Sequence, residues 1–206
     1  MLIYVRTRGT SWSKPLSHQK MKTLLIDNGS KHTLELIKLL AENNLDIDIQ
    51  AYNNLDANLD KYDLFILSGS SHTVNDNRER FTIESDLILN STKPIIGICF
   101  GFQLIASRYG SKIEKLESKE EGVRTIRVTM DDEIFGGKNQ FDAYVAHRFK
   151  VSKVMDPLIE LASSDIGVEI LKHKTKPIYG FQFHPEIATT ENLPFIRKLV
   201  SKFQSD

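Results

Sequence analysis

The pattern of apolar and polar positions divides the first part of the chain into strand-like and helix-like segments that alternate. Residues 23–27 form a mostly apolar run that ends in a turn cluster, and apolar residues then recur at helical spacing over 34–40. Residues 46–52 alternate polar and apolar positions, whereas 62–67 are apolar enough to be buried on both faces. Strands that alternate with helices at this pitch predict a parallel, doubly wound α/β sheet.

The segment 93–105 changes from strand to helix within a few residues. Residues 94–98 have the length and β-branched content of a buried strand, and the apolar positions after Cys99 are spaced as on a helix. Gly97 and Gly101 lack the side chains that would collide where strand and helix crowd together. We therefore predict that Cys99 lies on a tight corner, next to helix N-terminal N–H groups that stabilise a thiolate or an oxyanion.

The second half of the chain shows shorter segments. Residues 123–130 and 141–145 alternate and are separated by turn residues, which predicts antiparallel strands added to the parallel core. Residues 179–183 alternate large apolar residues with others and predict a strand that ends at Pro185. An amphipathic helix over 193–203 is expected to cover the sheet.

Composition adds the expectations of an ordinary globular domain. A chain of 206 residues with 40% hydrophobic and 26% charged residues has room for one sizeable α/β domain. The formal charge of zero argues against nucleic acid as the main ligand. The single cysteine excludes an internal disulfide and suits a reducing cytoplasm. No apolar run approaches the roughly 18 residues that a membrane span requires.

Two segments stand apart in charge. Residues 1–20 contain four basic residues, no acidic residue and no clear periodicity. Because Met21 opens the first strand-like run, we predict that 1–20 are a non-native or disordered extension and that 21–206 form the domain; an ordered surface arm is the alternative. The turn 172–176 carries three lysines, which fit either a solvated hairpin or a docking surface for an acidic partner.

Three residues far apart in the sequence could supply a nucleophile, a base and an orienting group. His184 follows the strand-like run 179–183, at a strand end, where sites form in open α/β sheets. Glu186 can project to the same side and fix the imidazole tautomer while the other ring nitrogen faces a thiol. A lone cysteine or histidine is more often structural. Together, Cys99, His184 and Glu186 predict nucleophilic catalysis.

The sequence around these residues resembles a known family. Gly-Ile-Cys-Phe-Gly-Phe-Gln (97–103) and Gly-Phe-Gln-Phe-His-Pro-Glu (180–186) are similar to motifs of the class I, triad-type glutamine amidotransferases. The tail from 172 onwards resembles the separate amidotransferase subunits of archaeal-type GMP synthases. The resemblance runs from about Met21 to the C-terminus. It implies a flavodoxin-like core, a mostly parallel sheet with flanking helices and added antiparallel strands, and hydrolysis of L-glutamine.

The resemblance also implies roles for individual residues. Cys99 would attack the side-chain amide, with His184 and Glu186 completing the triad. The other implied site residues are two oxyanion-hole donors through their backbone N–H groups, Ser70 and Phe100, and three substrate contacts, Gly69, Gln103 and His147.

Two short stretches depart from the family pattern. Ser70 and Ser71 stand where relatives have glycine and proline, and Ser70 keeps the N–H only if its backbone conformation is open to serine. His72 beside them is expected to face solvent. Phe149 and Lys150 stand where an aspartate and a glutamate are expected, so the acid that would hold the ammonium group of glutamine is missing.

The acceptor of the ammonia is expected on a second protein. The chain has neither a G-x-x-x-x-G-K-[ST] loop nor a G-x-G-x-x-G turn, and we expect no cofactor or metal in it. By resemblance, the partner is the ATP-pyrophosphatase subunit of GMP synthase, which would bind ATP and Mg²⁺ and aminate xanthosine monophosphate. The alternatives are an amidotransferase subunit of the anthranilate or aminobenzoate type, a free-standing γ-glutamyl hydrolase, and a non-catalytic regulatory module with the same fold.

Overall fold

The computed structural model of the chain describes residues 20–56, 58–73, 78–187 and 194–205. Apart from Lys20, the predicted N-terminal extension lies outside the described residues, and so does residue 193, the predicted start of the last helix. The division into an extension and a domain therefore stays a prediction.

The described residues form nine strands and four α-helices. The strands are β1 (Lys22–Asp27), β2 (Asp46–Ala51), β3 (Leu64–Leu67), β4 (Ile95–Ile98), β5 (Lys112–Val128), β6 (Gln140–Lys153), β7 (Leu158–Ser163), β8 (Val168–His173) and β9 (Ile178–Phe181). The helices are α1 (Thr33–Ala41), α2 (Thr82–Asn90), α3 (Phe100–Arg108) and α4 (Phe195–Phe203), with short 3-10 helices at Arg78–Phe81 and Glu133–Phe135.

The described strands belong to one sheet in the order β2-β1-β3-β4-β9-β8-β6-β5-β7. β2, β1, β3, β4 and β9 are parallel neighbours. β8 pairs with β9 in the antiparallel sense and begins an antiparallel extension made of β5, β6, β7 and β8. The parallel part has the strand order of a flavodoxin-like sheet, which confirms the predicted fold class.

Helices cover both faces of the parallel part. Leu36 of α1 and Leu199 of α4 belong to the core on one face, and Leu104 of α3 belongs, with α2, to the core on the other. Successive residues of β4 alternate between these cores, Ile96 in the first and Ile95 in the second. Because β3 and β4 are covered on both faces, they are apolar throughout.

Several predicted boundaries were wrong. β5 begins at Lys112 rather than near residue 123, and β6 continues to Lys153 rather than ending near 145. These strands pair as a long antiparallel hairpin, and none of the first ten residues of β5 is buried, so no alternating apolar pattern marks that part. β9 ends at Phe181, before the predicted end, because the next two residues bend out of the strand.

The lysine-rich turn 172–176 joins β8 to β9 as an antiparallel hairpin, and its alternative role as a docking surface stays a prediction. Lys172 lies 2.6 Å from a carboxylate oxygen of Asp132, and Lys174 pairs with Asp156. The turn lies at the amino end of β9, whereas the loops that follow β1, β3 and β4 and the segment after β9 meet at the opposite edge of the sheet.

Candidate active site

Cys99 occupies a strained corner between β4 and α3. Its backbone has φ 50° and ψ −95°, a conformation that costs a residue with a side chain about 1–3 kcal/mol and persists where surrounding structure fixes it. A Cβ on Gly101 would lie 2.4 Å from the carbonyl oxygen of Leu67, and one on Gly97 would lie 2.6 Å from the backbone of Gly101. The predicted reason for the two glycines is therefore confirmed.

The segment after β9 carries the imidazole across two neighbouring strands. The Gln182 N–H donates to the carbonyl of Glu169 on β8, and the His184 N–H donates to the carbonyl of Tyr144 on β6, each at 2.8 Å. These two bonds continue the backbone hydrogen bonding beyond Phe181, where β9 ends. They fix His184 at the carboxyl edge of the sheet, facing the corner that bears Cys99.

His184 lies between the two groups proposed as its partners. Its Nδ1 lies 2.8 Å from Oε1 of Glu186, whose side chain is 1% exposed, and its ring lines the same cavity as Cys99. Burial by itself lowers the pKa of the imidazole, but the hydrogen bonds with Cys99 and Glu186 outweigh it and raise the pKa of His184 to about 10. The arrangement thus favours an imidazolium beside the sulfur.

A cavity of about 340 Å³ opens at this edge of the sheet, within the size range of small-molecule sites. The predicted site residues that line it are Ser70, Cys99, Phe100, Gln103, His147 and His184. Glu186 lies behind His184. A Cβ on Gly69 would lie 3.3 Å from Cε1 of His184 and 3.7 Å from Cβ of Cys99, so this glycine faces the sulfur and the imidazole. The structure brings all eight predicted residues together.

The serine that replaces a family glycine is accommodated without strain. Among the described residues, Asn44 and Cys99 are the non-glycine residues with positive φ, and Ser70 is not one of them. Its hydroxyl donates to the carbonyl of Asn28 at 2.6 Å. The backbone at Ser70 thus has a conformation that is open to serine, as a backbone N–H donor at this position requires. The role of this N–H in an oxyanion hole stays a prediction.

Gln103 is buried rather than solvent-facing. Its Nε2 donates to the carbonyl of Phe149 at 2.9 Å and to Oε1 of Gln182 at 3.1 Å. The amide of Gln182 in turn donates to Sγ of Cys99 at 3.8 Å. Gln182 is therefore a neighbour of the nucleophile that sequence reasoning missed, although it lies inside the motif that carries His184.

His147 is a buried, neutral histidine. Burial lowers its pKa to about 4. Its Nδ1 lies 2.8 Å from the carbonyl oxygen of Phe149; since a carbonyl only accepts, Nδ1 carries the proton and Nε2 is an acceptor. Within the described part of the chain this buried Nε2 has no hydrogen-bond partner.

Two further histidines line the cavity. The ring of His32 lies 4.9 Å from that of His184, edge to face, a contact between distant loops that no sequence pattern announced. The prediction that His72 faces solvent was incomplete. Its Nε2 lies 3.2 Å from the hydroxyl of Tyr52, and its Nδ1 lies 3.2 Å from Nη1 of Arg80.

The described residues contain no cluster of three or more His, Cys, Asp or Glu side chains that could hold a metal ion. Over the same ranges, every helix is too short or too polar to cross a bilayer.

A thiol on a strand-to-helix corner, facing an imidazole oriented by a buried carboxylate, defines a cysteine-dependent acyl-transfer site on a flavodoxin-like fold. Residues 24–200 match the family "Glutamine amidotransferase class-I". The chain belongs to this family.

Relatives carry a narrower name. The glutamine-hydrolysing GMP synthase subunit of Methanocaldococcus jannaschii is 45% identical over 108 residues, 52% of this chain and 57% of that protein. The protein of the same name from Thermoplasma acidophilum is 31% identical over 174 residues, covering 83% of this chain and 86% of the relative. The match thus spans little more than half of the first of these relatives.

Solved structures agree in fold. A candidate GMP synthase subunit from Thermoplasma acidophilum superposes with a TM-score of 0.82 at 29% identity, covering 91% of this chain and 96% of the other. A glutamine amidotransferase from Thermotoga maritima gives a TM-score of 0.71 at 20% identity, covering 83% of this chain and 78% of the other, which supports the fold alone.

Proposed function

We propose that this chain is the glutamine-hydrolysing amidotransferase subunit of a GMP synthase. The observation that carries the proposal is the position of the His184 imidazole, which lines the same cavity as Cys99 and whose Nδ1 lies 2.8 Å from the buried Glu186 carboxylate. The names of the relatives from Methanocaldococcus and Thermoplasma support the acceptor pathway. The single cysteine, which can form no internal disulfide, suits a reducing compartment and supports a cytoplasmic location.

The proposed reaction breaks the side-chain amide of L-glutamine in two steps. The Cys99 sulfur attacks the amide carbon, and the carbonyl electron pair moves to oxygen, which the N–H groups of Ser70 and Phe100 receive. When the intermediate collapses, His184 gives its proton to the nitrogen, and ammonia leaves a γ-glutamyl thioester. His184 then removes a proton from water, which attacks the thioester; glutamate is released and the thiol is restored.

Glutamine recognition needs an explanation because Phe149 replaces the expected acid. A buried ammonium group requires an anionic or carbonyl partner. Glu121 is the one carboxylate among the described residues that line the cavity, and it also accepts hydrogen bonds from Lys119 at 2.5 Å and from the Tyr144 hydroxyl at 3.1 Å. We propose that Glu121 takes the part of the missing acid, while Lys31 at the same cavity favours the α-carboxylate.

We propose that a partner subunit uses the ammonia and binds ATP, Mg²⁺ and xanthosine monophosphate. In this proposal the present chain binds no cofactor. Glutaminase activity of the isolated chain is expected to be weak and to rise when the ATP-pyrophosphatase partner and its nucleotides are added. The test is a coupled assay of glutamate and GMP, with Cys99→Ala as the inactive control. Glutamate release that the partner never stimulates would count against the assignment.

The departures at Ser70 and Phe149 leave one second candidate open, a free-standing γ-glutamyl hydrolase that uses the same triad. Comparing glutamine with γ-glutamyl peptides as substrates separates the two. Higher kcat/KM for the peptides, without effect of the partner, would favour the hydrolase. A glutamine-analogue electrophile that fails to label Cys99 would instead support a non-catalytic module.

A further inference from the structure

A buried hydroxyl fixes the peptide that leads into the predicted oxyanion donor. Ser68, at the end of β3, has no exposed surface. Its hydroxyl donates to the carbonyl oxygen of Gly69 at 2.9 Å and accepts from the N–H of Asn28 at 2.8 Å. The hydroxyl has one proton to donate, so the bond from Asn28 leaves that proton directed at Gly69.

This bond determines where the next N–H points. The C=O of Gly69 and the N–H of Ser70 belong to one planar peptide and point in opposite directions when the peptide is trans. With the carbonyl directed into the interior at Ser68, the N–H of Ser70 points away from the interior. Gly69 faces the His184 ring and Cys99, and Ser70 lines the cavity. A Ser70 N–H that points away from Ser68 can therefore face the cavity in which the thiol lies.

Asn28 supports the loop from both ends. Its N–H bonds the Ser68 hydroxyl, and its carbonyl accepts from the Ser70 hydroxyl at 2.6 Å. Its side-chain amide donates to the Ser68 carbonyl at 3.3 Å and to Oε1 of Glu84 at 3.1 Å. Gly69 is therefore flanked by two serines that are both held by one buried asparagine.

Glu84 completes this network from α2. Its side chain is buried, with the residue 1% exposed, and burial raises its pKa to about 7. Its second oxygen has no partner within the described residues. Burying a carboxyl group costs free energy. The hydrogen bond that Glu84 accepts from the Asn28 side chain offsets part of this cost and holds Asn28 in place beside the loop.

We propose that Ser68 is a positioning residue that orients the Gly69–Ser70 peptide so that the Ser70 N–H faces the tetrahedral oxyanion, and that Asn28 and Glu84 hold Ser68 in place. The inference rests on the proposed function in that a γ-glutamyl carbonyl is the group attacked at Cys99. It predicts a loss of transition-state stabilisation when the hydroxyl is removed, with the triad left intact.

The test compares two reactions of Cys99 in the purified full chain. Cleavage of γ-glutamyl-p-nitroanilide passes through an oxyanion, whereas alkylation by iodoacetamide forms a sulfur–carbon bond and expels iodide without one. Ser68→Ala is expected to lower kcat for the anilide at least about tenfold, with KM within about threefold and the alkylation rate within about twofold, because an oxyanion donor acts mainly in the transition state.

Matched variants separate orientation from general destabilisation. The hydroxyl of Ser111 also bonds a backbone group, since it accepts from the N–H of Met155 at 3.1 Å. Ser111 follows the end of α3 that is far from Cys99, so Ser111→Ala is expected to keep kcat. Glu84→Gln retains an oxygen for Asn28 and is expected to keep most of kcat, whereas Glu84→Leu removes it and is expected to lower kcat several-fold.

A loss in Ser68→Ala smaller than tenfold, or a parallel loss of anilide cleavage and alkylation, would overturn the inference. Equal kcat values in Glu84→Gln and Glu84→Leu would overturn the part assigned to Glu84. Anilide cleavage is measured on the chain without its partner, so failure to stimulate GMP formation in the coupled assay would reject the proposed function while this comparison still decides the role of Ser68.

Discussion

The backbone N–H of Cys99 donates to the carbonyl of Phe181 at 2.7 Å. β4 and β9 are parallel neighbours in which Ile98 pairs with Phe181, so this bond continues their ladder by one step. The nucleophile and the start of the His184 segment are therefore joined through the backbone itself. The spacing between sulfur and imidazole depends on sheet register and on the bond from His184 to Tyr144, rather than on a flexible loop.

Glu186→Gln tests the orienting carboxylate. The amide is close in size but lacks the charge that favours the imidazolium, and it can present a donor to Nδ1, which selects the wrong tautomer. We expect kcat for glutamine hydrolysis to fall by about 10²–10⁴, with a smaller change in KM, measured as glutamate release.

Glu42→Gln serves as the control for that change because Glu42 is exposed at the end of α1. It is expected to keep the wild-type kcat. A Glu186→Gln protein that is folded by circular dichroism and retains full kcat would show that His184 does not need the carboxylate.

The extent of successful sequence prediction follows from how local each signal is. The β4 run and the glycines flanking Cys99 predict the corner because the crowding occurs within a few residues, as Gly97 and Gly101 show. The triad could be predicted because its three residues lie within two short motifs, 97–103 and 180–186. The first part of β5 could not, since none of its first ten residues is buried.

Contacts between separate loops left no trace in the pattern. Glu84 sits in a charged helical stretch and looks like a solvated side chain, yet it is buried against Asn28, fifty-six positions away in sequence. His32 reaches His184 only because the loops after β1 and β9 meet at one edge of the sheet. Such neighbours depend on tertiary packing, and a single sequence does not report them.

Stability should fall on the alkaline side because of His184. Its folded pKa of about 10 lies above the ordinary value of 6.5, so folding favours the protonated ring. This contribution is fully present below about pH 6.5 and is lost as pH rises through about 10. We expect the free energy of unfolding, measured in urea, to decline between pH 7 and 10 by up to about 1.4 kcal/mol per pH unit for one proton.

His184→Gln should remove that decline. His173→Gln is the matched control, because burial lowers the pKa of His173, away from the alkaline range; its decline should equal that of the wild type. Parallel curves for wild type and His184→Gln would contradict the raised pKa.

The strain at Cys99 predicts an inverted preference between glycine and alanine. Glycine adopts φ 50° without a steric penalty, whereas alanine keeps the strain of a side chain. Cys99→Gly should therefore be more stable than Cys99→Ala by about 1–2 kcal/mol in urea unfolding. At Ala106, inside α3, Ala106→Gly should show the ordinary order and lose about 1 kcal/mol. A Cys99→Ala protein as stable as Cys99→Gly would argue against strain.

The assignment of Glu121 as the acid for the ammonium group can be tested by moving the charge. Glu121→Gln should raise KM for glutamine about tenfold, since a hydrogen bond to a charged group is worth about 1.5–3 kcal/mol, with kcat changed little. Glu120→Gln is the control, because Glu120 pairs with Arg124 at 2.7 Å.

Phe149→Asp in the Glu121→Gln background should restore the KM, because Phe149 bonds His147 and Gln103 through its backbone carbonyl, which the substitution keeps. An unchanged KM in Glu121→Gln would show that carbonyl groups alone hold the ammonium.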